Sequence, residues 1–233
     1  MQASEDGLCL HCDFHLKIRS RMESAAHRVG RQVSDIRLVA VSKTYPPAVI
    51  LEAWDAGQQV FGENRVQDAL PKIQELPAES EWHFIGHLQS NKIRKALSAF
   101  RLIHGVDNPE LAHQINRIAG EMGLTAQVLL ETNVSGEASK FGFSPEALRR
   151  SLETLLLLPH LHINGLMTMA PYSDDPESAR PVFSALRILR DELAAKSGNA
   201  LSELSMGMSG DFEVAIEEGA TIVRIGSSIF GHR

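Results

Sequence analysis

Eight short apolar runs recur along the chain, each followed by a stretch of helical periodicity, and this alternation restricts the fold more than any other feature. The runs are IRLVAVSK (36–43), QQVFGEN (58–64), EWHFIGH (81–87), RLIHGVD (101–107), AQVLLETNV (126–134), HINGLMTM (162–169), ELSMGMS (203–209) and TIVRIGSSIFG (221–231). Each is near-continuously apolar at its centre and becomes polar or glycine-rich at its C-terminal end, the pattern of a parallel strand covered on both faces. The segments between them carry apolar residues at three- and four-residue spacing. PPAVILEAWDAG adds proline at its start and glycine at its end, and DFEVAIEEGA opens on Asp211 as an expected N-cap. Strand–helix alternation repeated eight times predicts an α/β protein of the (β/α)8 TIM-barrel class. An open doubly wound sheet is the alternative, but no run is followed by the G-x-G-x-x-G turn of a Rossmann fold. A further helix over about 13–29 precedes the first strand, so residues 1–12 read as an N-terminal extension and 13–233 as a single domain.

Composition narrows the partners. The 233 residues carry a net charge of −6 with acids and bases interspersed, and no basic block marks a nucleic-acid surface. No apolar run is long enough to cross a bilayer, and the acidic N-terminus lacks the apolar core of a signal peptide. Two cysteines, Cys9 and Cys12, exclude a disulfide scaffold and fit a reducing cytoplasm. With His11 and His15 nearby they resemble half of a zinc site, but no second ligand pair exists and no metal is expected.

In a barrel the chemistry gathers at the C-terminal ends of the strands. Those ends bring forward Ser42-Lys43, Glu63-Asn64, His83 to His87, Asp107, Thr132-Asn133, Met167 to Met169, Met208-Ser209-Gly210 and Arg224 to Ser227. SMGMSGD and RIGSSIFG fall on the seventh and eighth strands, where barrels often hold a phosphate. Gly210 and Gly226 would let the backbone approach an anion, and Ser209 and Ser227 would add hydroxyl donors. Lys43 ends the first strand, next to the eighth in a closed barrel. A partly desolvated lysine there can form a Schiff base with a carbonyl, although a solvated strand end would read the same way. Amine and phosphate corner together fit pyridoxal phosphate or a sugar phosphate.

The segments LVAVSKTYP, FGENRVQD, WHFIGHLQSNK, TNVSGEASKFGF, INGLMTMAP, SMGMSGDFEVAI and VRIGSSIFG, in this order, resemble the pyridoxal phosphate homeostasis proteins, single-domain relatives of the alanine racemase N-terminal barrel. The resemblance runs from about residue 36 to 231. It implies that Lys43 carries pyridoxal 5'-phosphate as an internal aldimine and that Asn64 lies near the cofactor ring. It implies phosphate contacts from Ser209, Gly210, Gly226 and Ser227, and it sets Arg224 at the pyridine nitrogen. Lys140 in SGEASKFGF matches a family lysine with a minor part in cofactor transfer.

Arginine offers only donors, so a ring nitrogen facing Arg224 stays unprotonated and the ring is a weaker electron sink than one paired with Asp. Racemases of this barrel type take a catalytic tyrosine from a second domain, and the chain ends just after its eighth run. Tyr45 and Tyr172 read as loop or packing residues. No catalytic residue is therefore assigned. The expected function is a carrier or buffer of pyridoxal phosphate that acts in its homeostasis and influences amino-acid and keto-acid balance. Apo-enzymes are the expected recipients, and the protein is expected to be a monomer. An amino-acid racemase or a Schiff-base lyase is the alternative. His83 reads equally as a ring neighbour or a satisfied barrel histidine, and Met167, Met169, Met206 and Met208 read as packing at the barrel mouth. Glu63, Asp107 and Glu131 are candidate acid/base groups that nothing in the sequence ranks.

Overall fold

The computed structural model describes residues 10–137 and 140–231. Strands β1 (Arg37–Val41), β2 (Val60–Glu63), β3 (Glu81–Phe84), β4 (Leu102–Val106), β5 (Ala126–Glu131), β6 (Leu161–Met167), β7 (Glu203–Ser205) and β8 (Ile222–Ile225) pair in chain order, all parallel. β8 then pairs with β1 and closes the barrel. The α-helices are α1 (Leu10–Arg28), α2 (Pro47–Asp55), α3 (Val66–Glu75), α4 (Ile93–Ala99), α5 (Pro109–Glu121), α6 (Pro145–Leu156), α7 (Arg180–Ser197), α8 (Phe212–Glu217) and α9 (Ser227–Phe230), with short 3-10 turns at Val33–Asp35, Ser90–Lys92 and Pro176–Ala179.

Local chemistry starts and stops these helices. Asn108 and Ser144 each accept the backbone N–H three residues on, with Pro109 and Pro145 in the first helical turn, so α5 and α6 begin where their caps stand. α7 stops at Gly198, which takes a left-handed φ of 69°. Each strand is shorter than the apolar run that announced it, because the polar and glycine residues at its end leave the ladder. The eighth run departs most. It ends as strand at Ile225, and residues 227–230 form α9 instead. Ile229 and Phe230 are buried, but over so few residues their spacing serves a helical turn as well as a strand. α1 begins at Leu10, taking in the last three residues assigned to the extension, and it ends at Arg28. Residues 1–9, Cys9 among them, lie outside the described residues.

Two apolar layers hold the barrel. The larger lies between strands and helices, with Leu38, Phe61, Phe84, Ile103, Leu130 and Phe183 among its buried side chains. The smaller fills part of the lumen with Val39, Leu102, Leu129, Met167 and Ile222. α1 packs outside on α2, α8 and α9. Arg21 lies 4.7 Å from the centre of the Phe212 ring and bonds Glu213, while Arg28 bonds Glu217. Among the described residues no helix is long and apolar enough to cross a membrane.

Gly165 sets the spacing of β6 and β7: a methyl group there would collide with the backbone of Glu203. Gly165→Ala is expected to cost at least about 2 kcal/mol in urea unfolding, because strand backbone rather than a flexible side chain must yield. Gly210→Ala, which meets nothing within 4 Å, is expected to stay within about 0.5 kcal/mol of the parent.

Candidate functional site

Lys43 stands on a heavily anchored stretch. Ser42 donates its N–H to Gly62 O (3.0 Å) and its hydroxyl to Glu63 Oε1 (2.8 Å). Its carbonyl accepts from Lys72 Nζ (2.9 Å) and from the Tyr45 N–H (3.1 Å). Thr44 then adopts a φ of 73°, a left-handed turn that lifts the chain off the strand. Tyr45 ties this turn to the end of the barrel, donating its hydroxyl to Gly231 O (2.8 Å) and packing on Phe230. The outcome differs from the sequence expectation in one respect. Lys43 is exposed at the barrel mouth rather than partly desolvated, because the strand ends at Val41 and the turn carries the side chain over the rim.

The partners behind Ser42 were not legible as site residues. Glu63, a candidate acid/base group, points away from the lumen into the shell beneath α3, where it pairs with the buried Lys72 at 2.7 Å. Its second carboxylate oxygen is buried with no partner. This ion pair fixes the carbonyl just before Lys43.

Lys43 opens into a cavity of about 580 Å³ shared with Val41, Tyr45, Ser209, Gly210, Arg224, Gly226 and Ser227. Of the seven residues expected at the site, six line this cavity, and Asn64 instead lines a neighbouring polar cavity with Arg65, His87 and Lys92. The loop after β7 is closed by Asp211, which accepts the Met208 N–H at 2.6 Å. Asp211 thus stands at the start of α8 without capping it. Gly226 N–H reaches Ser209 Oγ at 3.4 Å, linking the loops after β7 and β8.

Arg224 forms the floor. It is 4% exposed, donates Nη1–H to Ser205 Oγ (2.5 Å) and Nη2–H to Thr168 O (3.0 Å). Burial lowers its pKa to about 10, so it remains a cation at neutral pH. The β1–β8 register sets Arg224 beside Val39, two residues below the end of β1 at Val41 and four before Lys43.

Glu131 ends β5 inside the mouth. Burial, followed by the neighbouring Asp107, pushes its carboxyl to about 7. Asp107 binds His87 Nδ1 at 2.9 Å, and His87 stacks on the exposed Phe141 with ring centres 4.7 Å apart. Lys140 reaches Met169 O and Glu137, both at 3.2 Å, on the same rim. Tyr172 is 93% exposed at the cavity edge and bonds Asp174. His83 is the satisfied barrel histidine, bonded through both ring nitrogens inside the lumen. Of the four methionines, Met169 and Met208 are exposed at the mouth, whereas Met167 fills the lumen and Met206 the outer shell. Among the described residues no group of three or more potential metal ligands comes together.

The closed parallel barrel carries a lysine just beyond β1 and an arginine on β8, at one mouth. The family model described as "Alanine racemase, N-terminal domain" matches residues 13–233, and the chain belongs to that family. It is 47% identical to the pyridoxal phosphate homeostasis protein of Aquifex aeolicus over 95% of this chain and 98% of that protein. It also resembles PipY of Synechococcus elongatus, solved without PLP (39% identity, TM-score 0.85, 94% of this chain and 99% of that one). The likeness extends to PipY with PLP bound (38% identity, TM-score 0.83, 95% of this chain and all of that one, 100%).

Two measurements test these electrostatics. The raised Glu131 carboxyl holds a proton that the unfolded chain has released, so wild-type stability falls as pH climbs from 4.5 towards 7. Glu131→Gln removes that loss and is expected to exceed wild type at pH 8 by up to about 3 kcal/mol, with little difference near pH 4. Lys72→Met strands a buried carboxylate and is expected to cost about 3 kcal/mol, most of it recovered in the double variant Lys72→Met/Glu63→Leu. Both comparisons are read by denaturant unfolding.

Proposed function

We propose that this chain binds pyridoxal 5'-phosphate at the barrel mouth and carries or buffers it in the homeostasis of that cofactor, without robust catalytic turnover. The observation that carries the proposal is one cavity holding an exposed amine at its rim and a donor-only guanidinium at its floor. The names of the Aquifex relative and of the PLP-bound PipY structure support the same cofactor.

The residues suit the group. Lys43 supplies an amine that condenses with an aldehyde, releasing water. Ser209, Gly210, Gly226 and Ser227 offer hydroxyl and backbone donors and close approach for a phosphate on the β7–β8 side of the same cavity. Arg224 donates to the pyridine nitrogen and keeps it from gaining a proton. Bound pyridoxal phosphate acts as an electron sink whose strength depends on that nitrogen, so Arg224 restrains the chemistry the cofactor would otherwise perform. The exposed position of Lys43 favours exchange with an incoming amine. Lys140, on the same rim, takes a minor part in transfer. Asn64, which lines the neighbouring cavity, lies near the cofactor ring. The recipients are apo-enzymes that use the same cofactor, the carrier acts as a monomer, and the cytoplasm is the setting.

Reconstituted protein is expected to be yellow, and Lys43→Ala is expected to lose the visible band; a wild-type protein that stays colourless with pyridoxal phosphate overturns the reading. Turnover is tested by α-hydrogen exchange of L-amino acids in heavy water. Sustained exchange at about 1 per second or faster makes the chain an enzyme.

A further inference from the structure

A continuous hydrogen-bonded column crosses the lumen below the site. Glu81 Oε1 meets His83 Nε2 at 2.8 Å, and His83 Nδ1 meets His104 Nε2 at 2.9 Å. His104 Nδ1 meets Ser205 Oγ at 2.9 Å, and Ser205 Oγ accepts from Arg224 Nη1 at 2.5 Å. His83, His104 and Ser205 are fully buried, while the Glu81 side chain is 38% exposed at the opposite end of the barrel. There it shares a polar cavity with Arg37, Arg101 and Glu203.

The two ends dictate every proton between them. Arginine has no acceptor, so Ser205 Oγ accepts from Arg224; with both rings neutral and the Glu81 carboxylate accepting from His83 at the far end, the Ser205 hydrogen is the one that goes to His104 Nδ1. His104 is then protonated on Nε2 alone and donates to His83 Nδ1. His83 is in turn protonated on Nε2 and donates to Glu81, whose carboxylate only accepts. Burial lowers the pKa of His83 and pushes that of His104 well down, which keeps both rings neutral as this order requires. The hydrogen bond from His83 holds Glu81 below its ordinary value, as a carboxylate.

We propose that Glu81, His83, His104 and Ser205 form a one-directional column that positions the Arg224 guanidinium at the floor of the cavity, making Ser205 and His104 positioning residues for the group that meets the cofactor's ring nitrogen. The second half of this inference rests on the cofactor reading above; the first half does not. Arg224 is held at Nη1 by a hydroxyl whose own hydrogen is committed, so the guanidinium plane has one favoured setting rather than several. The Thr168 carbonyl fixes the second nitrogen and completes a two-point mount. A lumen built only for stability would place apolar side chains at 83, 104 and 205, as it does at 39, 102 and 129.

The test has a cofactor-free arm and a cofactor-loaded arm on the full chain. In protein without cofactor, 15N NMR at pH 7 is expected to show His83 and His104 both neutral and protonated on Nε2. The Arg224 guanidinium hydrogens are expected to exchange slowly in wild type and at least ten-fold faster in Ser205→Ala. Either histidine protonated on Nδ1, or unchanged Arg224 exchange in Ser205→Ala, overturns the column.

In the loaded arm, Ser205→Ala and His104→Leu are each expected to weaken pyridoxal phosphate binding about ten-fold and to displace the visible absorbance maximum. His104→Gln keeps one donor and one acceptor and is expected to return most of both. Wild-type affinity and spectrum in Ser205→Ala overturn the positioning role, and Ser205→Ala decides alone if the leucine variant does not fold. If wild type binds no pyridoxal phosphate while the cofactor-free arm comes out as expected, the cofactor reading fails and the mount on Arg224 stands.

Discussion

Everything at the mouth depends on the parallel pairing of β8 with β1. This ladder joins the two ends of the described barrel, and its register brings the arginine of one strand beside the lysine-bearing segment of the other. Without closure, Lys43 and Arg224 would belong to opposite edges of an open sheet. The tie from Tyr45 to Gly231 repeats the join above the strands, and α1 repeats it outside by packing on both α2 and the helices around β8. Closure also creates the lumen in which the Arg224 guanidinium can be both charged and buried.

The lumen divides the work between packing and polarity. Val39, Leu102, Leu129, Met167 and Ile222 fill one part as an ordinary core. The remaining interior goes to charged and hydrogen-bonded groups, which are costly to bury unless each finds a partner. Here the partners are consecutive, and the polar part reads as a single unit from Glu81 to Arg224. The shell behind β2 repeats the principle with Glu63 and Lys72. In both places buried polar groups fix part of the site: the Glu63–Lys72 pair holds the carbonyl before Lys43, and Ser205 with Thr168 holds the Arg224 guanidinium.

The barrel and the lining of its mouth were legible in the sequence because they depend on periodicity and on where strands end. LVAVSK and RIGSS carry Lys43, Arg224, Gly226 and Ser227 directly, and SMGMSG carries Ser209 and Gly210. The supports beneath them were harder to read. His104 in RLIHGVD and Ser205 in ELSMGMS are polar residues in the middle of apolar runs, which signals an inward-facing polar position but names no partner, since the partners come from β3, β4, β7 and β8. Lys72 lies on the buried face of α3 in step with Val66 and Ala69, but a lysine in a helix reads as solvated until the tertiary contact with Glu63 is known. Asn64 shares the strand-end logic of the others, yet the turn after β2 directs it to the neighbouring cavity. The exposure of Lys43 follows from the left-handed turn at Thr44, a conformation that threonine does not advertise.

The ion pair behind Ser42 has a kinetic consequence. With the backbone before the amine held from four directions, reaching in or out of the cavity falls to the side-chain torsions of Lys43 itself. Such torsions in an exposed lysine relax in picoseconds to nanoseconds, whereas lids and domains take microseconds to milliseconds. If Lys43 takes the part proposed for it, access to the amine would be limited by its covalent step, and the scaffold around it could stay still.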